Sequence, residues 1–248
     1  MIPTYQHHSP SSLNQFAASP ALFVLERVLG LKQVVGAPAH RGVGVEAGVS
    51  YGLMNLDRGN MDKVEKRAIQ AAYTAYDTVS ALSPDERKER YREDIPEMVS
   101  IGLEELAPYG KPTSVQGHIN LKFPGVRLPI VGYYDFIWED KGIVVDLKTT
   151  SRMPSEIKIP HARQVSLYCT DNQDGRLAYI TPKKGMVYQL ENIRGHREAL
   201  IKLAQTVENF LSLSDDPKFY TTIVAPDLES FYWTAPHMRQ LAYEYFGV

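Results

Sequence analysis

The segment Val131–Thr150 carries Asp135, Asp146 and Lys148 within runs otherwise rich in β-branched and aromatic residues, with Glu139, Asp140 and Lys141 at the turn between those runs. Such runs on either side of the turn signal Asp140-Lys141-Gly142 predict a β-hairpin. A two-residue loop at Asp140-Lys141 sets Asp135 opposite Asp146, and a loop at Lys141-Gly142 sets it opposite Lys148. In both registers the three side chains share one face, because residues two apart on a strand point the same way. Two carboxylates opposed across a hairpin lie only ~5 Å apart at Cβ, where like charges destabilise the pair. A divalent cation would offset that repulsion: hard oxygen ligands suit Mg²⁺, and an adjacent Lys can stabilise an attacking hydroxide or a charged phosphate in the transition state. The competing account is an Asp-Lys ion pair on a solvated sheet face. Ile143, Val144, Val145 and Leu147 weigh against it, since apolar residues on both faces mark a sheet centre rather than an edge. Charged groups in a buried strand are as a rule functional or paired.

The elements that must hold this hairpin follow from periodicity. Val115, Gly117, Ile119, Leu121 and Phe123 alternate with polar residues and predict a half-buried strand over Ser114–Phe123. Further strands are expected at Val131–Trp138, Ile143–Thr149, Leu177–Thr181 and Met186–Leu190, the last two joined at Lys183-Lys184-Gly185, with helices at His161–Thr170 and Ile193–Leu213. Upstream, Met61, Val64, Ala68, Ala71, Ala75, Val79 and Leu82 recur at three- and four-residue steps, an amphipathic helix beginning after Asn60. A second helix is expected after Ser83-Pro84-Asp85-Glu86, capped by Ser83, breaking near Pro96 and resuming to Leu106. The sum is an α/β fold, a mixed central β-sheet flanked by helices, in a single domain over residues 1–248 with a helical insertion at about 60–109.

This ordered series resembles the PD-(D/E)XK nuclease superfamily, in its RecB-like branch. Asp135 matches the first acid of that family's motif, Asp146 the second and Lys148 the motif lysine; Gln164 and Tyr168 match the Gln-x-x-x-Tyr of the following helix. Four residues apart, Gln164 and Tyr168 share a helix face and can meet the same substrate phosphate. The resemblance extends upstream to Ser9–Phe16 with Ser19-Pro20, a helix entry with Ser11 or Ser12 as N-cap, and to Arg41–Gly48, which opens a short helix. Relatives place a metal-binding His or acid where Glu46 stands. The resemblance therefore implies a restriction-endonuclease-like core and a Mg²⁺- or Mn²⁺-dependent DNA exonuclease of phage-type recombination, repair or replication. Asp135, Asp146, Glu46 and the Leu147 carbonyl would hold the metal, Lys148 would orient or help deprotonate water, and Gln164 and Tyr168 would position the strand. Some relatives carry an iron-sulfur cluster with a Cys where Ser19 stands; Cys169 is the one cysteine here, and a cubane cluster takes four thiolates, so no cluster is expected.

Composition limits the remaining choices. The 248 residues are 44% hydrophobic and 23% charged, ordinary for a globular chain, and no apolar run reaches the length of a membrane span or forms a signal pattern, so a cytoplasmic protein of a bacterium or phage-infected host is expected. The net charge of −2 is unevenly spread: Lys141–Lys184 holds eight Lys or Arg against four Asp or Glu, and Glu208 to the end holds two against six. Screening confines such fields to ~8 Å, so a local basic patch suffices to attract DNA. Arg152, Lys158, His161, Arg163, Lys183 and Lys184 are the candidate backbone contacts, each matched singly by an ordinary solvated charge. Ser230–Trp233 is an aromatic run suited to core packing or to stacking on bases. A structure-selective endonuclease using the same residues and a non-catalytic DNA-binding scaffold remain as alternatives. A single-strand-annealing or single-strand-binding protein is the partner class that the phage-type resemblance implies.

Overall fold

Strand β3 (Ile143–Thr149) is buried on both faces from Ile143 to Leu147 and occupies the middle of a five-stranded sheet ordered β1 (Ser114–Leu121), β2 (Ile130–Trp138), β3, β4 (Asp174–Ile180), β5 (Gly185–Gln189). Pairs β2/β3 and β4/β5 are antiparallel, whereas β3/β4 is parallel. A parallel pair needs a crossover, supplied here by the helix Ile159–Tyr168. The computed structural model describes residues 5–233 and 235–248, and the helices run α1 (Pro10–Ala18), α2 (Pro20–Phe23), α3 (Ala37–Met54), α4 (Met61–Ser80), α5 (Lys88–Glu93), α6 (Ile95–Leu106), α7 (Ile159–Tyr168), α8 (Ile193–Leu211) and α9 (Pro236–Phe246). The architecture is the expected α/β one, a mixed sheet with flanking helices. The chain divides into two compact units, one of residues 34–118 and 133–194, the other of 1–33, 119–132 and 195–248.

In the first unit, one sheet face, with Phe136, Trp138, Val145, Leu147 and Ala178, packs with α3, α4 and α6 in a single core. Helix α3 is longer than the short helix expected, because its glycines do not break it. Gly44, Gly48 and Gly52 recur every fourth residue, and a Cβ on Gly48 would lie 2.8 Å from the Ala68 carbonyl oxygen and the Ala72 Cβ. Each helical glycine costs roughly 1 kcal/mol against alanine; close approach of α4 and α6 offsets it with packing. That contact also selects the buried stripe of α4, which is Val64, Ala68, Ala72 and Tyr76, while Val79 and Leu82 are exposed. The second helix does not start under a Ser83 cap. The Asp85 carboxylate accepts from Ala37 N at 2.9 Å, at the start of α3, and from Arg87, so the chain turns there and α5 begins at Lys88.

In the other unit, Ser9 rather than Ser11 or Ser12 caps α1, exchanging hydrogen bonds with Ser12 in a capping box. Ala21, Leu22, Leu25, Trp233, Met238 and Ala242 form its apolar cluster, so Trp233 of the aromatic run is core while Phe231 is exposed. Buried Glu208 accepts from Arg127 N at 2.9 Å and Leu128 N at 2.7 Å, and lies 3.2 Å from His8 Nε2. Burial would raise the Glu208 carboxyl, but these donors hold it below its usual value. A carboxylate with a depressed folded pKa contributes stability above its unfolded pKa and loses it as pH falls. Glu208→Ala leaves several buried donors without an acceptor and is expected to cost about 3 kcal/mol, with a deficit that shrinks toward acid pH; urea titrations at two pH values measure both.

Candidate active site

The hairpin register fixes the acids. Phe136 lies opposite Val145, Ile137 opposite Val144 and Trp138 opposite Ile143, so one step further Asp135 faces Asp146, the first of the two registers open from sequence. The connection is a single turn over Glu139–Lys141 closed by Gly142 at φ +62°, a left-handed position that glycine adopts without strain. Asp135 is built into the ladder itself: its Oδ2 accepts from Leu147 N at 2.6 Å. Leu147 thus lies between Asp146 and Lys148 with its N–H committed to Asp135.

Asp146 is fully buried. Its Oδ1 accepts from Gln164 Nε2 at 3.1 Å, and its Oδ2 has the Lys148 ammonium 2.6 Å away, though without hydrogen-bond alignment. Gln164 Nε2 also reaches the Tyr168 hydroxyl at 3.1 Å. Residues 161, 164 and 168 fall on one face of α7. His161 Nδ1 lies 2.7 Å from the Tyr179 hydroxyl, and Tyr179 pairs in register with Lys148 on β3. Glu46 comes from α3 one turn after Gly42, where a Cβ would lie 3.3 Å from Thr149 Oγ1, so this helix face meets the end of β3. Glu46 Oε1 accepts from Gln116 Nε2 at 2.8 Å.

The electrostatics follow from three acids and one cation, with Asp135 and Asp146 buried and Glu46 and Lys148 half-buried. Burial, then the charges of Asp146 and Glu46, push Asp135 well above the usual carboxylate range. Burial also raises Asp146 against the pull of Lys148, and raises Glu46 against Gln116 and Lys148. Burial alone would lower the Lys148 ammonium, but the facing Asp146 and Asp135 raise it. Burial, with the Lys148 and Lys158 charges, pulls His161 down to about 4. Lys148 is therefore an ammonium and His161 a neutral imidazole at ordinary pH.

Among the described residues, no three carboxylate, thiolate or imidazole side chains converge as a finished metal cage. The donor set still fits Mg²⁺, which takes one or two carboxylates and keeps several waters and substrate oxygens. Asp146 Oδ2 is a fully buried acceptor without an aligned donor, Asp135 lies opposite it, and Glu46 stands alongside. Of the other expected contacts, Arg163 lies on α7, Arg152 is exposed just after β3, and Lys158, Lys183 and Lys184 are exposed in loops. Gln116 and Tyr179 escaped sequence reasoning. Gln116 looked like the polar half of an alternating strand, and Tyr179 meets His161 only once β4 is paired with β3.

A model of the PD-(D/E)XK nuclease superfamily matches residues 7–229. No curated protein matches the chain. Among solved structures, one titled "Crystal structure of SSO0001" is similar at 17% identity, over 83% of this chain and 93% of that one, with a TM-score of 0.36. Among the described residues, no helix is long and apolar enough to cross a membrane.

Proposed function

The chain belongs to the PD-(D/E)XK nuclease superfamily, and we propose that within it the protein is a Mg²⁺- or Mn²⁺-dependent deoxyribonuclease of the RecB-like branch, acting as an exonuclease on DNA ends. The observation that carries this reading is the opposition of Asp135 and Asp146 at buried positions, with Lys148 against Asp146 and Glu46 beside them. A fold needs no such cluster, since burying like charges together is destabilising. Asp135, Asp146 and Glu46, with the Leu147 carbonyl, would hold the cation, which supplies Lewis acidity toward a phosphoryl oxygen and toward water. Lys148, kept protonated by its acids, orients the attacking water and stabilises charge growing on the phosphate oxygens. Gln164 holds Asp146 in place and, with Tyr168, lines the path of the scissile strand. Arg152, Arg163 and His161 supply contacts to the DNA backbone, which give affinity without reading sequence.

The raised carboxyls give a pH signature. A carboxyl whose folded pKa exceeds its unfolded value opposes folding as pH rises from the unfolded toward the folded pKa, so metal-free protein should lose stability over that window. A cation must displace the protons these acids retain. Mg²⁺ affinity is therefore expected to tighten with pH and binding to release protons, measured by calorimetry in buffers of different ionisation enthalpy; pH-independent affinity without proton release would contradict it. The exonuclease assignment rests on the RecB-like motif order, and covalently closed circles test it. Linear duplex or single strands degraded while circles survive is the expected result. Cut circles would make the protein an endonuclease.

A further inference from the structure

Beside the acids lies an aromatic pair that this chemistry leaves unused. The rings of His118 and Tyr133 are 5.0 Å apart at 55°. Both residues are exposed, Tyr133 to 61%. Tyr133 is two residues before Asp135 on β2 and shares its sheet face, and His118, in ring contact with Tyr133, is two residues after Gln116, which bonds Glu46. Two residues along a strand is ~6.6 Å, about the reach from a phosphate to its own or the neighbouring base. Val43, 45% exposed, sits three residues before Glu46 on the same face of α3 and adds an apolar rim.

The adjacent tyrosines of β2 have divided tasks. Tyr134 is used structurally: its ring fills the space over Gly117, where a Cβ would lie 2.0 Å from its Cζ, and its hydroxyl is 2.9 Å from Ser114 Oγ. Tyr133, directed to the other face, meets His118 and water. Gln116, between these contacts, is held at φ +49°, a left-handed backbone that a non-glycine residue adopts at a cost, and there it bonds Glu46.

We propose that His118 and Tyr133 form a stacking platform for an unpaired nucleobase of the strand whose phosphate lies at the carboxylates, so that the enzyme takes single-stranded or frayed DNA ends. This rests on the nuclease reading. A base inside a duplex has both faces covered by its neighbours, and at a duplex end only the outer face of the terminal pair is open, so a platform beside the acids best suits a base that has left the stack. Stacking on an aromatic ring accepts every base.

The test uses a phosphorothioate-linked single strand with 2-aminopurine placed at successive positions from its end, bound to the protein in Mg²⁺. Strong quenching is expected at one position. Tyr133→Ala should abolish it and weaken binding on the order of tenfold, His118→Ala should reduce it, and Tyr133→Trp should keep it. A pair serving only to stabilise the sheet would change melting temperature and leave quenching intact. No position-dependent quenching in the wild type, or equal quenching in Tyr133→Ala, overturns the proposal. Cleavage of the unmodified strand, measured in parallel, separates the two claims. Cleavage without quenching removes the platform and leaves the nuclease; Tyr133-dependent quenching without cleavage removes the nuclease and leaves a single-strand binding face.

Discussion

Asp135→Asn is expected to lower DNA cleavage by at least about 10³-fold while leaving the fold as stable as before, or more so. Both halves come from one side chain. As a carboxylate, Asp135 would supply a hard oxygen ligand opposite Asp146, and an amide is a much poorer one. As a component of the fold, it carries a charge that burial, Asp146 and Glu46 all oppose. Each unit by which its folded pKa exceeds the unfolded value costs about 1.4 kcal/mol at high pH, and asparagine removes that cost. The amide oxygen can still accept from Leu147 N, the structural hydrogen bond of this position. The stability gain should be small near pH 4, where the unfolded carboxyl is about half ionised, and grow as pH rises. Activity assays beside urea titrations at pH 4 and pH 8 test both halves. A variant that is inactive because it is unfolded would contradict the account.

Lys148→Met should also reduce cleavage, by about 10²- to 10³-fold as for loss of one transition-state charge partner, but with the opposite effect on the metal-free fold. The Lys148 ammonium lies 2.6 Å from Asp146 Oδ2 and lowers the carboxyls of Asp146, Asp135 and Glu46. Without it three neighbouring acids lose their nearest cation, so stability should fall by about 3 kcal/mol, more at alkaline than at acid pH. Added Mg²⁺ should recover much of that loss by taking over the neutralising role. Opposite stability shifts from two inactivating substitutions are difficult to obtain from general misfolding. Thermal melts with and without Mg²⁺ read them directly; equal destabilisation in both variants would contradict the scheme.

The hairpin was legible because its signals are local. The turn residues, the two-residue alternation and the apolar run of β3 lie within one segment, and they limited Asp135 to two registers. Hydrogen bonding between strands then chose one of them. The face of α7 was legible for the same reason, as Gln164 and Tyr168 are one helical turn apart. What escaped depends on partners distant in sequence. Gly48 breaks or permits a helix according to whether Ala72 lies against it, so α3 looked short and the stripe on α4 was shifted at Ala71 and Ala75. Gln116 gave no sign of its left-handed backbone, because glutamine has no preference for it. The cap at Ser9 was missed since Ser11 and Ser12 match the pattern as well, and only the bonded pair Ser9–Ser12 distinguishes them. The α9 helix at Pro236–Phe246, built over Met238 and Ala242, was not anticipated from its weak periodicity.

The measurement that bears most directly on the central claim is cleavage of end-labelled linear DNA by the purified protein across a Mg²⁺ and Mn²⁺ titration, with a chelator control and Asp135→Asn prepared identically. Product is expected to appear with the divalent cation, disappear with the chelator and be absent from the variant at every concentration. Cleavage that persists in chelator, or equal cleavage by folded Asp135→Asn, would contradict that claim.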